Sequence, residues 1–194
     1  MNNDIYLDRT ANSASLVRAF EEHGIVVLRD VISNPNELRS ALDEAQLSRK
    51  RFALTDESLG YRNVRLLLGD ILSYEEIRSQ NHIFFQPCLL QSLRSILRAP
   101  LIYFGDSSFQ VGSGARGFHK DNVDRSLGSG PEWRERVALV RVAYYAQHHG
   151  TFSGGLKIRQ KSHLKPGHLH GKIYDVVVTP RDFVLWDMIC KEEK

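Results

Sequence analysis

The chain has 194 residues, 42% of them hydrophobic, which suffices for one compact domain with a sizeable core and does not call for two. Its formal charge of +3 arises from 26 basic and 23 acidic residues scattered along the chain, with no run of like charge to make a nucleic-acid footprint, so no nucleic-acid partner is expected. Met1-Asn2-Asn3-Asp4-Ile5-Tyr6 lacks a basic segment followed by an apolar one, and no apolar run approaches the ~18 residues of a membrane span, so the expectation is a soluble, cytoplasmic protein with no membrane partner. Cys88 and Cys190 stand far apart, in neither a CxxC nor a zinc-ligand arrangement; they read as buried thiols rather than a disulfide framework.

The first half reads as helices broken by one short strand. Asn12 or Ser13 can cap a helix with Leu16, Val17 and Phe20 on one face, and Gly24 supplies the left-handed residue that ends it. Ile25-Val26-Val27-Leu28 makes a short buried strand. The next helix starts with Asn34 as cap, Pro35 at the first helical position and Glu37 reaching back, followed by the apolar stripe Leu38, Ala41, Leu42 and Ala45. Between Arg49 and Asp70 the pattern fits a loop with short elements. Helix returns over Tyr74 to Leu97, interrupted near Pro87, with Leu89, Leu90, Leu93, Ile96 and Leu97 at helical spacing.

From Leu101 the texture changes to short β segments punctuated by glycine and proline. Strands are expected over Leu101 to Val111, Val137 to Gln147 and Leu156 to Gln160, and on either side of Thr179-Pro180 between Tyr174 and Trp186. Helices first and strands afterwards imply a single α+β domain over residues 1–194, helical over 1–100 and β-rich over 101–187, with early helices packed against the sheet. A jelly-roll-like barrel is the natural architecture.

Gly117-Phe118-His119-Lys120-Asp121-Asn122 is the segment most suggestive of chemistry. In an extended chain, side chains at i and i+2 point the same way, roughly 6 to 7 Å apart at their roots, so His119 and Asp121 can converge on one ion while Lys120 faces away. An imidazole and a carboxylate suit iron(II), as in the facial arrangement of two histidines and one carboxylate. An HxD tripeptide alone also arises by chance in surface loops.

Four segments in order carry a family resemblance. Phe20-Glu21-Glu22-His23-Gly24-Ile25-Val26-Val27-Leu28-Arg29-Asp30-Val31-Ile32, Gly117-Phe118-His119-Lys120-Asp121, Gly154-Gly155-Leu156-Lys157-Ile158-Arg159-Gln160-Lys161-Ser162-His163 and Thr179-Pro180-Arg181-Asp182-Phe183-Val184-Leu185-Trp186-Asp187 together resemble the phytanoyl-CoA dioxygenase family. That family is a branch of the iron(II)- and 2-oxoglutarate-dependent oxygenases. The resemblance implies a cupin-like double-stranded β-helix, with His119 and Asp121 as metal ligands holding Fe(II). It also implies 2-oxoglutarate and dioxygen as co-substrates, and hydroxylation of a small organic molecule, the expected partner. The family's distal histidine falls about five residues after the Trp-Asp pair, and that register here is Glu192, in a segment that reads as a frayed, charged tail. No histidine follows Asp187, and the family's 2-oxoglutarate arginine would lie past Lys194. Three readings follow: a piece of a longer enzyme missing its last strands, which would leave a sheet edge unpaired; a non-catalytic pseudoenzyme or binding module of the same fold; or an enzyme with rearranged ligands such as Glu192. A hydrolase using His119 and Asp121 with another cation is a further alternative.

Over Val137 to Gln147, Val140, Val142 and Tyr144 share one face and Arg141, Ala143 and Tyr145 the other. A mid-strand arginine needs an anionic partner or a path to water. Arg141 and Tyr145 therefore either hold a carboxylate of co-substrate or substrate, or Arg141 bridges to an aspartate of a covering loop. His148 and His149 read as a loop pair beside Gly150, His168 and His170 as part of a mobile turn, His163 as structural and His82 as partly buried. Trp133 and Trp186 read as packing residues. Lys157, Arg159, Lys161 and Lys165 form a basic cluster that suits an anionic substrate or a solvated face.

Overall fold

A computed structural model describes residues 3–49, 64–103, 105, 107–112, 139–151, 153, 155–164, 171–187 and 192–193. A short strand β1 (Tyr6–Asp8) precedes helix α1 (Ser13–His23). Asn12 caps α1 by accepting from the Ser15 amide at 2.8 Å, and Gly24, at φ 75°, ends it by donating its own amide to the Phe20 carbonyl at 2.7 Å. The chain then enters β2 (Ile25–Arg29) and, after a turn, α2 (Pro35–Arg49). At the start of α2, Glu37 reaches back to Asn34, but to accept from its side-chain amide at 2.7 Å rather than from its backbone N–H as in the expected cap. Leu38, Ala41, Leu42 and Ala45 are all buried, as their spacing predicts.

Next come β3 (Val64–Gly69), two single-turn helices α3 (Glu75–Arg78) and α4 (Asn81–Phe84), and α5 (Pro87–Leu97), with Pro87 at its N-terminus. The β half contains β4 (Ser108–Gly112), β5 (Val140–Tyr144), β6 (Lys157–Arg159), β7 (Ile173–Asp175), β8 (Phe183–Asp187) and β9 (Glu192–Glu193).

One sheet has the order β1-β2-β8-β5, parallel at β1–β2 and antiparallel elsewhere; a second has the order β7-β6-β9, and β3 pairs with β4 alone. The four-stranded sheet is covered on both sides. Val26, Leu28, Phe183, Leu185, Val142 and Tyr144 pack against α1, α2 and α5. The alternate residues Ile25, Val27, Val184, Trp186, Ala143 and Tyr145 pack against Leu156, Ile158, Tyr174, Val176 and Val178 from the second sheet and its flanks. Burial on both faces is why β2 and β8 read as unbroken apolar runs.

The end of β2 and the turn before β8 are tied together by Asp182, which is 1% exposed. Its carboxylate accepts from the Arg29 guanidinium, from the amides of Asp30 (3.0 Å) and Thr179 (2.8 Å) and from the Thr179 hydroxyl (3.0 Å). The Arg29 guanidinium also lies 4.4 Å from the centre of the Tyr6 ring, and the Tyr6 hydroxyl accepts from the Val177 amide at 3.0 Å.

Several expectations change. The first half holds β1 and β3 besides the expected strand: β1 is too short to show a period, and β3 lies where a loop was expected because its ladder partner, β4, is distant in sequence. Helix over 74–97 is broken at Ser79-Gln80 as well as before Pro87. The strand expected from Leu101 begins only at Ser108, and Ile102 and Tyr103 are exposed. Cys88 is half-buried rather than buried, and Cys190 lies outside the described residues. Glu192 and Glu193 do not fray: they pair with Ile158 and Lys157 of β6. Helices packed on a sheet are as expected; the described strands trace two sheets face to face, and a jelly roll as such is not traced by them.

Asp182→Ala, which strands the Arg29 guanidinium and three further donors, is expected to cost about 3–5 kcal/mol in equilibrium urea unfolding. The Tyr144 hydroxyl is buried without a hydrogen-bond partner, and burial, partly offset by Arg39, pushes its pKa up to about 12. The folded state thus resists ionisation, so stability falls as pH rises from about 10 through about 12. Tyr144→Phe should remove that alkaline loss and add up to ~1 kcal/mol at neutral pH, both read from unfolding curves.

Candidate functional site

The alternation in β5 places Arg141 and Tyr145 on the face that meets the second sheet, as the sequence pattern requires. In the antiparallel register Arg141 stands opposite Trp186 and Ala143 opposite Val184 of β8. Arg141 and Tyr145 are both partly buried, so this margin of the interface joins an apolar interior to polar groups.

Tyr145 packs edge-on against His149, ring centres 4.9 Å apart. His149 is 9% exposed and backbone-paired with Val178, so it belongs to the sheet margin rather than to the loop pair expected. His148 is exposed, as opposite orientation of adjacent residues demands. The polar contacts of His149 define one neutral tautomer. Nε2 accepts from the Gln147 amide at 3.3 Å, while Nδ1–H donates at 3.2 Å to the Ser153 hydroxyl, whose own proton goes to the Gly150 carbonyl at 2.9 Å. A side chain at position 155 would place its Cβ 3.0 Å from the His149 Cβ, so glycine there makes room for the imidazole. Burial, helped by His148, lowers the pKa of His149.

The Gln160 to His163 segment fastens the second sheet to α1. His163, buried as expected of a structural residue, donates from Nε2 to the Glu21 carbonyl at 2.9 Å, satisfying a group in the last turn of the helix. His23, which sequence reasoning passed over, is buried and meets the Tyr174 hydroxyl through Nδ1 at 3.3 Å. Lys157 bridges to Asp175 at 3.2 Å and Arg159 donates to the Gly171 carbonyl at 3.3 Å, so two members of the basic cluster hold β6 to its neighbours. His82 is exposed rather than partly buried and lies on the Ser79 carbonyl.

His119 and Asp121 lie outside the described residues, as do Trp133, Lys165, His168 and His170. Among the described residues no three His, Cys, Asp or Glu side chains are grouped to hold a metal ion, so no described side chain is assigned to iron. No helix among them is long and apolar enough to cross a membrane.

Solved structures share this architecture over nearly the whole chain. The epimerase SnoN, in complex with Fe3+, alpha ketoglutarate and nogalamycin RO, superposes with a TM-score of 0.67 at 14% identity, covering 93% of this chain and 75% of its own. HygX from Streptomyces hygroscopicus, with nickel, 2-oxoglutarate and hygromycin B bound, gives 0.65 at 14% identity, covering 91% and 78%. AviO1 from Streptomyces viridochromogenes Tue57 gives 0.65 at 16% identity, covering 94% and 87%. The chain has their fold. No protein-family model and no curated protein matches it, so the narrower resemblance to phytanoyl-CoA dioxygenases rests on the four sequence segments.

The neutral state of His149 has a measurable consequence. Below pH 6.5 the unfolded chain takes up a proton that the folded imidazole resists, so its contribution to stability is present above that pH and lost as pH falls through the lowered pKa. The urea midpoint should decline as pH falls below 6.5, and His149→Gln should flatten that decline.

Proposed function

We propose that the chain is a non-haem iron(II)- and 2-oxoglutarate-dependent oxygenase that hydroxylates a small organic molecule. One observation carries the reading: the fold matches, over nine-tenths of the chain, proteins whose structures hold iron or nickel together with 2-oxoglutarate. His119 and Asp121 are the proposed metal ligands, on the strength of their HxD spacing and the family resemblance. Arg141 and Tyr145 are the proposed groups that hold a carboxylate, on the strength of their shared face at the sheet interface.

Bound iron, with 2-oxoglutarate and dioxygen, supplies the oxidising power that converts C–H to C–OH while the keto acid leaves as succinate and carbon dioxide. The chain's own part is to orient the organic acid, through the charge and fork of the Arg141 guanidinium and the Tyr145 hydroxyl, and to wall off water with Ala143, Val184 and Trp186. The same fold serves an epimerase, so the scaffold alone does not fix the outcome at carbon.

A second reading, a non-catalytic binding module of the same fold, is favoured by one feature. Glu192, not a histidine, occupies the fifth position after Asp187, paired with Ile158 on the second sheet.

Anaerobic titration of the protein with iron(II), with and without 2-oxoglutarate, separates the two. The oxygenase reading expects a visible charge-transfer band that needs both components and disappears in His119→Ala and Asp121→Ala. Binding of 2-oxoglutarate without that band assigns the chain to the second reading.

A further inference from the structure

The inter-sheet face carries a feature that packing leaves unexplained. Trp186 is 1% exposed, and its indole Nε1–H has no hydrogen-bond partner. Such buried donors are rare, because the group gives up its bond to water and receives nothing in return. Trp186 stands on β8 between Ile25 of β2 and Arg141 of β5 in the sheet register. Directly opposite residues of an antiparallel pair share a face with Cβ atoms about 4.5–5.5 Å apart, so the indole and the guanidinium stem start side by side. Tyr144 has an unpartnered hydroxyl too, but it faces the helices, and its register partner is Phe183 rather than a cation.

We propose that Arg141 and Trp186 together receive one carboxylate of a small organic acid. The proposal rests on the reading of this face as a carboxylate site and gives Trp186, there only a wall, the role of a second donor. Guanidinium and indole N–H are donors only, so the pair accepts an oxyanion and rejects an amine or an amide N–H, which would set donor against donor. A planar carboxylate suits a charged fork plus one further donor. Ala143 and Val184, paired in register one step along the same face, offer an apolar wall to a short aliphatic chain beyond the carboxylate.

The chain has two tryptophans, Trp133 and Trp186, so 15N-labelled protein shows two indole N–H resonances that Trp133→Phe assigns. Glutarate added to the full chain in the presence of a metal chelator is expected to move the Trp186 indole proton downfield in a saturable way. Arg141→Met should weaken glutarate about a hundredfold and Trp186→Phe about tenfold. A Trp186 resonance that stays in place while glutarate saturates the protein overturns the proposal, as does the absence of saturable binding. So does a folded Trp186→Phe protein with unchanged affinity; if that variant does not fold, the wild-type resonance decides.

Competition identifies the source of the carboxylate. Displacement of glutarate by 2-oxoglutarate assigns the position to the co-substrate, and persistence of glutarate under saturating iron(II) and 2-oxoglutarate assigns it to the substrate. The oxygenase reading fails separately, through absence of the iron charge-transfer band whatever the indole resonance does.

Discussion

The buried carboxylate of Asp182 is the constraint on which the pairing of the two central strands depends. A carboxylate removed from water is tolerated only when its lone pairs are filled, and here a guanidinium, two amides and a hydroxyl fill them. Those donors come from the end of β2 and from the turn before β8. Their convergence fixes the two central strands of the larger sheet in register at the end where β8 begins. Arg29 extends the same clasp to Tyr6, and Tyr6 extends it to Val177, so one ionic centre connects β1, β2, β8 and the segment after β7. Arg181 adds an outer tie, its Nε 2.8 Å from an Asp30 oxygen.

With the central strands held, the two faces of the sheet acquire different roles. The helix-side face is an apolar core whose polar residue Tyr144 stays neutral because burial disfavours its anion. The opposite face is apolar at its centre, with Arg141 opposite Trp186 at one point of the β5 margin and Tyr145 and Gln147 meeting His149 further along it. The His149 imidazole is held in one tautomer by partners on both nitrogens, which gives Tyr145 a rigid neighbour.

The structural neighbours show how far a shared scaffold reaches. An epimerase that binds nogalamycin RO and a protein that binds hygromycin B both superpose on this chain at 14% identity. A likeness at that distance is one of fold, so the chemistry must be argued from this chain's own residues. Arg141 and Trp186 occupy facing positions of β5 and β8. They stand in register by virtue of the strand pairing alone.

Features encoded within a few residues could be read from the sequence. Asn12 and Gly24 bound α1, Asn34 and Pro35 start α2, and the apolar stripe of α2 is buried, because caps and helical period are local. The alternation of β5 likewise put Arg141 and Tyr145 on one face before any partner strand was known. Features made by contacts distant in sequence could not be read. β3 needed β4, β9 needed β6, His149 needed Val178, and Asp182 needed Arg29 and Asp30 from the far end of the chain. The HxD segment and the family resemblance singled out His119 and Asp121, which lie outside the described residues. The sequence by itself determined where elements start, which face of each is apolar and which residue types are candidates for chemistry. Tertiary structure alone decided which faces meet, and so that Arg141 stands opposite Trp186 in register, because pairing between remote strands is set by burial and hydrogen-bond satisfaction across the whole fold.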